Sequence, residues 1–260
     1  MKIMNVEEVI DLKSHQITES IYLQKCKEKL ERDGVLVIEN FIRPQALDKI
    51  RVEGKEKQGL AFYTNQQHNV FISDADPRYS NDHIRNKLVK SSKGCITDDQ
   101  IAVDSVLRTL YNSEIFRSFL KVLLDEKELH AYDDECSSIN LHYASEGQEL
   151  GWHFDNSSFA TTLLIQKPEG GGEFQYIRDV RNADNGEMNF SSVEKVLSGE
   201  TKANILAIEP GALVLFRGRN AIHRVTPTKG DTTRMMVVLA YNNKPGISLS
   251  ASARKTFYGK

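Results

Sequence analysis

Beyond Glu128 the chain stops reading as helix and reads as short strands, and this change of period most limits what it can fold into. Ser138 to Ala144 alternates, with Asn140 and His142 on one face and Ile139, Leu141 and Tyr143 on the other. Phe159 to Gln166 reads as a second strand, closed by Pro168 and Gly170-Gly171-Gly172, and Glu173 to Ile177 as a third. Ile205 to Ile208 and Ala212 to Arg217, either side of Pro210-Gly211, carry a hairpin signal. His223 to Thr226 and Thr233 to Asn242 read as the last strands, and the polar stretch 181–201 as a surface excursion with a helical turn or more. Short strands at this spacing suit a sandwich or barrel.

The first half supplies helices. Ile17, Ile21, Leu23, Cys26 and Leu30 recur at helical spacing, and Gly34 stands where a left-handed cap would end that helix. Val35 to Ile38 is a short buried strand, and Pro44 opens a helix to about Gln58. From Gly59 to Gly94 the pattern breaks up; 68–72 could be a strand and the rest a lid or binding loop. Thr97-x-x-Gln100 is a capping box, expected to start a helix with Val103, Val106, Leu107, Leu110 and Tyr111 on one face. Phe116, Phe119, Leu120, Leu123 and Leu124 stripe a further helix. No linker divides the chain, so one domain is expected over 1–260. Its 1–127 part is helical support with the lid segment, and 128–260 is the β core.

A net charge of −2 gives no general attraction to phosphate backbones, and no apolar run is long enough to span a bilayer. Residues 1–15 lack the apolar centre of a signal peptide, and Cys26, Cys95 and Cys136 lie too far apart for a zinc or disulfide framework. The expectation is a cytoplasmic protein that acts on a small molecule, without nucleic-acid or membrane partners.

The chemistry centres on Gly151-Trp152-His153-Phe154-Asp155. Residues two apart on a strand share a face, so His153 and Asp155 lie side by side with Phe154 turned away. With one distant His, for which His223 is the candidate, they form the facial triad that holds Fe(II) with positions left open. The His-x-Asp spacing alone recurs by chance, and context must support it. Arg234 follows His223 by eleven residues, in a strand whose two faces are both mostly apolar. An arginine buried there needs an anion, and its fork fits a carboxylate. Arg85, and less so Arg78, could hold a substrate carboxylate; Glu135 and Asp134, read as lying on a strand nearing the site, could hold an amine. Asn242 shares the face of Arg234, Asn156 adjoins the metal motif, and Tyr258 could fold over the pocket.

In this order the features resemble the Fe(II)/2-oxoglutarate-dependent dioxygenases. That resemblance implies a double-stranded β-helix, or jelly roll, mostly β with flanking helices. It implies Fe(II) on His153, Asp155 and His223, 2-oxoglutarate with its far carboxylate on Arg234, and O2 as the oxidant. Gly171-Gly172-Glu173-Phe174, the run from Pro210 to Arg219, and His223-Arg224-Val225-Thr226-Pro227 are similar to one branch in particular. It comprises the radical halogenases of free amino acids, of lysine type, and their hydroxylase relatives. In those halogenases a small residue replaces the carboxylate and leaves room for chloride. Asp155 therefore implies hydroxylation of an unactivated C–H bond in a small molecule, such as lysine or a similar free amino acid. The alternatives are a peptidyl or protein hydroxylase, a radical halogenase, and a non-catalytic jelly-roll binding protein.

Overall fold

The computed structural model describes residues 3–260; Met1 and Lys2 lie outside them. In chain order the elements are α1 (Val6–Val9), α2 (Ser20–Asp33), β1 (Val35–Ile38), α3 (Pro44–Lys57), β2 (Phe62–Asn69), β3 (Leu88–Ile96), α4 (Val106–Tyr111) and α5 (Glu114–Leu124). There follow β4 (Ile139–Ala144), β5 (Leu150–His153), β6 (Ala160–Gln166), β7 (Gly170–Gly171), β8 (Phe174–Ile177) and α6 (Phe190–Leu197). The last are β9 (Asn204–Leu206), β10 (Leu213–Phe216), β11 (Ile222–Val225), β12 (Thr228–Lys229), β13 (Arg234–Leu239) and α7 (Ala251–Tyr258).

The strands run β1-β10-β6-β13-β4-β3-β5-β11-β8-β9, with β2 on β3 and a separate β7–β12 pair. This path doubles back at β3, which pairs with β4 through Gly94, Cys95 and Ile96 and with β5 through Ser91. The result is a large layer, β1-β10-β6-β13-β4, facing a small one, β5-β11-β8-β9. From β4 to β13 the chain passes between the two layers repeatedly, which is the jelly-roll architecture expected.

Burial follows the strand period. Leu141, Tyr143, Leu163, Leu213, Met235 and Val237 point out of the large sheet and pack beneath Leu30, Ile50, Phe116, Phe119 and Leu120 of the helices. Each such apolar side chain contributes about 1.5–3 kcal/mol on burial. The helix layer sits close: Tyr143 donates its hydroxyl to Gly54 O at 2.7 Å, and a Cβ on Gly54 would meet Leu141 Cδ2 at 2.9 Å. Between the sheets lie Val35, Leu164, Val214, Phe216 and Met236, with Phe174 and Leu206 at their edge. A third cluster covers the outside of the small sheet, where Phe154 and Ile222 meet Val70, Phe71, Ile84, Val193 and Val196.

Several local expectations are corrected. Ile205–Ile208 and Ala212–Arg217 are not a hairpin: β9 pairs with β8, whereas β10 pairs with β1 and β6. Gly211, at φ +90°, turns the chain from one sheet to the other and donates its N–H to Leu164 O at 2.8 Å. The capping box at Thr97 and Gln100 is present but closes only a 3-10 turn over 98–100. Arg108 then takes the carbonyls of Asp98, Ile101 and Ala102, and Glu53 takes Ala102 N–H and the Ser105 hydroxyl, so these groups are satisfied without helix. The helix starts only at Val106, leaving Val103 88% exposed. The stretch 59–94 holds two paired strands, from Phe62↔Cys95 to Asn69↔Leu88, rather than one short strand at 68–72. The polar, half-exposed β2 carries no alternating apolar signal to announce it. The 181–201 segment is more than an excursion, because α6 buries Val193 and Val196. Among the described residues, no helix is long and apolar enough to cross a membrane.

Candidate active site

His153 and His223 stand directly opposite each other in the β5–β11 ladder. Their rings are 4.1 Å apart at the centroids, and both side chains are buried. Asp155, just beyond β5, donates its N–H to Gly218 O at 3.1 Å. That turn sets its carboxylate beside both rings, with Oδ1 3.7 Å from His153 Nε2 and 3.4 Å from His223 Nε2.

The protons are assigned by the neighbours. His153 Nδ1 lies 2.9 Å from Gly151 O, and His223 Nδ1 lies 3.0 Å from Ala221 O. A carbonyl only accepts, so each Nδ1 carries the proton and each Nε2 presents a lone pair. Burial, assisted by His223, lowers the His153 pKa to about 3 and keeps that ring neutral. Burial pushes the Asp155 carboxyl up, but His223 beside it prevails and holds it below its usual range. Asp155 Oδ2 is buried and has no hydrogen-bond partner among the described residues. Such a carboxylate oxygen is costly unless a cation meets it. Gly218 leaves that side open, since a Cβ there would overlap Asp155 Oδ2 and touch His223 Cε1 at 3.0 Å. Two imidazoles and a carboxylate, with ligand atoms within 4.8 Å of one another, fit a divalent metal such as Fe(II).

Phe174 stacks on His223 at 5.5 Å and Phe216 meets the same ring edge-on at 4.8 Å. Phe174 also lines a cavity of about 190 Å³ with Leu164, Gly172, Leu206, Ile208 and Arg234. Arg234 is 8% exposed, and burial brings its pKa down to about 10 with no acidic neighbour acting on it. The cavity thus shares Phe174 with the surroundings of His223 and has a buried guanidinium in its wall. Neither this cavity nor a larger, open polar hollow of about 460 Å³ between Asp179 and Asn220 is lined by His153, Asp155 or His223.

The other expected contacts are dispersed. Arg85 lies in the 70–87 segment over the Phe71 ring at 5.5 Å, donates to Asp74 O, and leaves Nη1 buried without a partner. Asn242 pairs its backbone with His130 and has an unpartnered, buried Nδ2. Tyr258, on α7, donates to Asn140 Oδ1 at 2.9 Å, which seats the helix against the inner face of β4. Asn156 is exposed, with its carbonyl held by Arg219. Arg78 is exposed and paired with Asp76. Glu135 is corrected: it lies exposed in the loop before β4, not on a strand, because its carbonyl and that of Cys136 are engaged by the turn at Asp98 and Asp99. Arg181 escaped the sequence reading. It is buried over the Phe154 ring at 4.1 Å and donates to Arg219 O at 2.7 Å and Asp155 O at 3.3 Å. Nothing in its spacing distinguishes it from a surface arginine.

The Halogenase D family model matches residues 18–257. The chain belongs to that family. No curated protein matches this Halogenase D family member. Solved structures share its architecture. One is a 2OG-Fe(II) oxygenase family oxidoreductase from Burkholderia pseudomallei, 13% identical over 87% of this chain and 93% of that one, at TM-score 0.55. A second is the non-heme alpha ketoglutarate dependent epimerase SnoN of nogalamycin biosynthesis, 9% identical over 86% and 81%, at TM-score 0.60. A third is a prolyl hydroxylase from Trichoplax adhaerens in complex with a hypoxia inducible factor peptide, 14% identical over 86% and 94%, at TM-score 0.54. At these identities the likeness is one of fold. The chain has the jelly roll of Fe(II)/2-oxoglutarate-dependent oxygenases together with a His-Asp-His cluster that could hold their iron.

Proposed function

We propose that this Halogenase D family member hydroxylates an unactivated C–H bond of a small molecule, a free amino acid such as lysine or a similar one, with Fe(II), 2-oxoglutarate and O2. The observation that carries this reading is the Asp155 carboxylate, set against both Nε2 atoms with one oxygen left unsatisfied. His153, Asp155 and His223 would hold the iron. Arg234, in the wall of the 190 Å³ cavity, would take the far carboxylate of 2-oxoglutarate. Iron with 2-oxoglutarate supplies oxidative decarboxylation to succinate and oxygen insertion into a C–H bond. The chain's own work is positional. The Gly151 and Ala221 carbonyls fix the imidazole tautomers, Phe174 and Phe216 shield the His223 side from water, and Arg234 orients the cosubstrate. The unpartnered donors of Arg85 and Asn242 are candidate substrate contacts. Tyr258, drawn onto Asn140, supports a closed small-molecule pocket over a peptide groove.

The family description favours a second reading, halogenation. A halide would need the position that Asp155 fills, so the carboxylate supports hydroxylation instead. The test is incubation of the iron-loaded protein with 2-oxoglutarate, chloride and a panel of free amino acids. Succinate and a one-oxygen mass gain are expected, both lost in His153→Ala and His223→Ala. Chlorinated product from the unmodified protein, recognised by its isotope pattern, would replace this reading with the second one.

A further inference from the structure

The inner face of the large sheet carries more positive charge than the reading above uses. Arg234 is opposite Ala144 on one side of β4. On the other side β3 runs Gly94↔Tyr143 and Cys95↔His142, so Lys93 comes next, level with Ala144. The two basic residues flank a small side chain, about 10 Å apart at their Cα atoms by two strand spacings. Lys93 does not end at Arg234. Its Nζ lies 3.3 Å and 3.4 Å from the two ring nitrogens of His142, one step along β4 toward Asn140 and Tyr258. Nearly equal distances mean that the ammonium rests against the ring and is not aimed along either lone pair.

Among the described residues no carboxylate balances the charge of these groups. Burial lowers the Lys93 pKa, and burial followed by Lys93 and Arg234 holds His142 well below its ordinary value; no carboxylate acts on either. His142 is therefore a neutral wall, Arg234 is a buried cation, and the partly buried Lys93 extends from the same face of the sheet. Enclosed cations without anions are costly, and a bidentate fork at Arg234 satisfies only one carboxylate.

We propose that Lys93, with His142 packed against its ammonium, binds a second carboxylate on the inner face of the sheet, distinct from the one at Arg234 and carried by the primary substrate. The placement of the first carboxylate rests on the 2-oxoglutarate reading. The assignment to substrate rests on direction, because the Lys93 ammonium lies toward the end of β4 that Tyr258 covers.

The test is calorimetry on the full chain loaded with redox-inert Zn(II), comparing wild type, Lys93→Met and Lys93→Arg. The ligands are 2-oxoglutarate, then 2-oxovalerate (which lacks the far carboxylate), then free L-amino acids and their amides added to the 2-oxoglutarate-saturated protein. Failure of wild type to bind 2-oxoglutarate would defeat the cofactor reading, irrespective of Lys93. Given that binding, Lys93→Met is expected to bind both oxoacids as wild type does. It should lose about ten-fold or more in affinity for a free acid while leaving the amide unchanged, and Lys93→Arg should retain much of the acid binding. Its ligand-free melting temperature should be no lower than wild type, because relief of an uncompensated charge offsets the lost contact with the His142 ring. Weakening of both oxoacids would move the carboxylate to the metal end of the cosubstrate, and weakening of 2-oxoglutarate alone to its far end; either overturns the substrate assignment. Unchanged binding of every carboxylate, or a marked fall in melting temperature, overturns the site altogether.

Discussion

Gly218 and Asp155 share one space: a Cβ on Gly218 would overlap the unsatisfied oxygen of the Asp155 carboxylate. Gly218→Ala should therefore push the carboxylate off the proposed iron position. Metal affinity is expected to fall about ten- to a hundred-fold, the scale on which neighbours of metal ligands act. Overpacking should cost about 1–3 kcal/mol of stability. Adding Asp155→Gly should restore the melting temperature and leave metal affinity low. A double variant that melts as low as Gly218→Ala alone would show that the two residues do not compete.

Arg234→Met keeps much of the side-chain volume and removes the anion fork. Losing one charged hydrogen-bonded contact costs about 1.5–3 kcal/mol, so affinity for 2-oxoglutarate should fall about ten- to over a hundred-fold. Stability without ligand should not fall, because no acidic group faces this guanidinium. Calorimetric titration measures the first and thermal melting the second. An unchanged affinity would place the anchor elsewhere. Arg219 and Arg224 are already engaged, the first with Asp184 and the second over Trp152.

Asp155→Gly would open a third position at the triad. Groups around the metal-holding side chains tune such sites, and Leu150 and Asn156 flank a centre that carries a carboxylate. The expected result is little hydroxylation and at most traces of chlorinated product in high chloride. Efficient chlorination by this variant would mean that the pocket already positions its substrate for a halide.

Acid should destabilise the metal-free protein through His142 and His153. An unfolded imidazole takes up a proton near pH 6.5, whereas burial keeps His153 neutral to about pH 3 and His142 neutral well below 6.5. Below about pH 6.5 the unfolded state binds more protons, so stability present above that value is lost as pH falls. The loss is up to about 1.4 kcal/mol per pH unit for each group. Urea midpoints at pH 7 and pH 5 measure it. His142→Leu should show a smaller drop than wild type, and an equal drop would remove His142 from the account.

Much of this was legible from local spacing. His153 and Asp155 do come side by side, as residues two apart on an extended segment would, but β5 ends at His153 and the N–H bond from Asp155 to Gly218 O sets the carboxylate. The stripe from Phe116 to Leu124 likewise marked the face that α5 buries, and Cys26 and Leu30 that of α2, but Ile21 of the same expected stripe is 73% exposed and Ile17 is buried ahead of the helix. Arg234 was conspicuous because it interrupts a strand apolar on both faces, and both faces are in fact covered.

What failed depended on partners distant in the chain. Alternation marks Ile205–Ile208 and Ala212–Arg217 as strands, but cannot say which sheet each joins, and they join different ones. The box at Thr97 describes a first turn correctly, yet Glu53 and Arg108 decide that no helix follows there. Lys93, Arg181 and Gly218 look like ordinary surface or turn residues in the sequence. Enclosure of a cation, or a carboxylate pressed against a glycine, is a property of what packs around a residue. The amino-acid order by itself therefore determined the strand and helix periods and the residue types of the His-Asp-His cluster. Register, burial and the sheet each strand enters were decided only by the tertiary structure, because they arise from contacts between segments that no local period encodes.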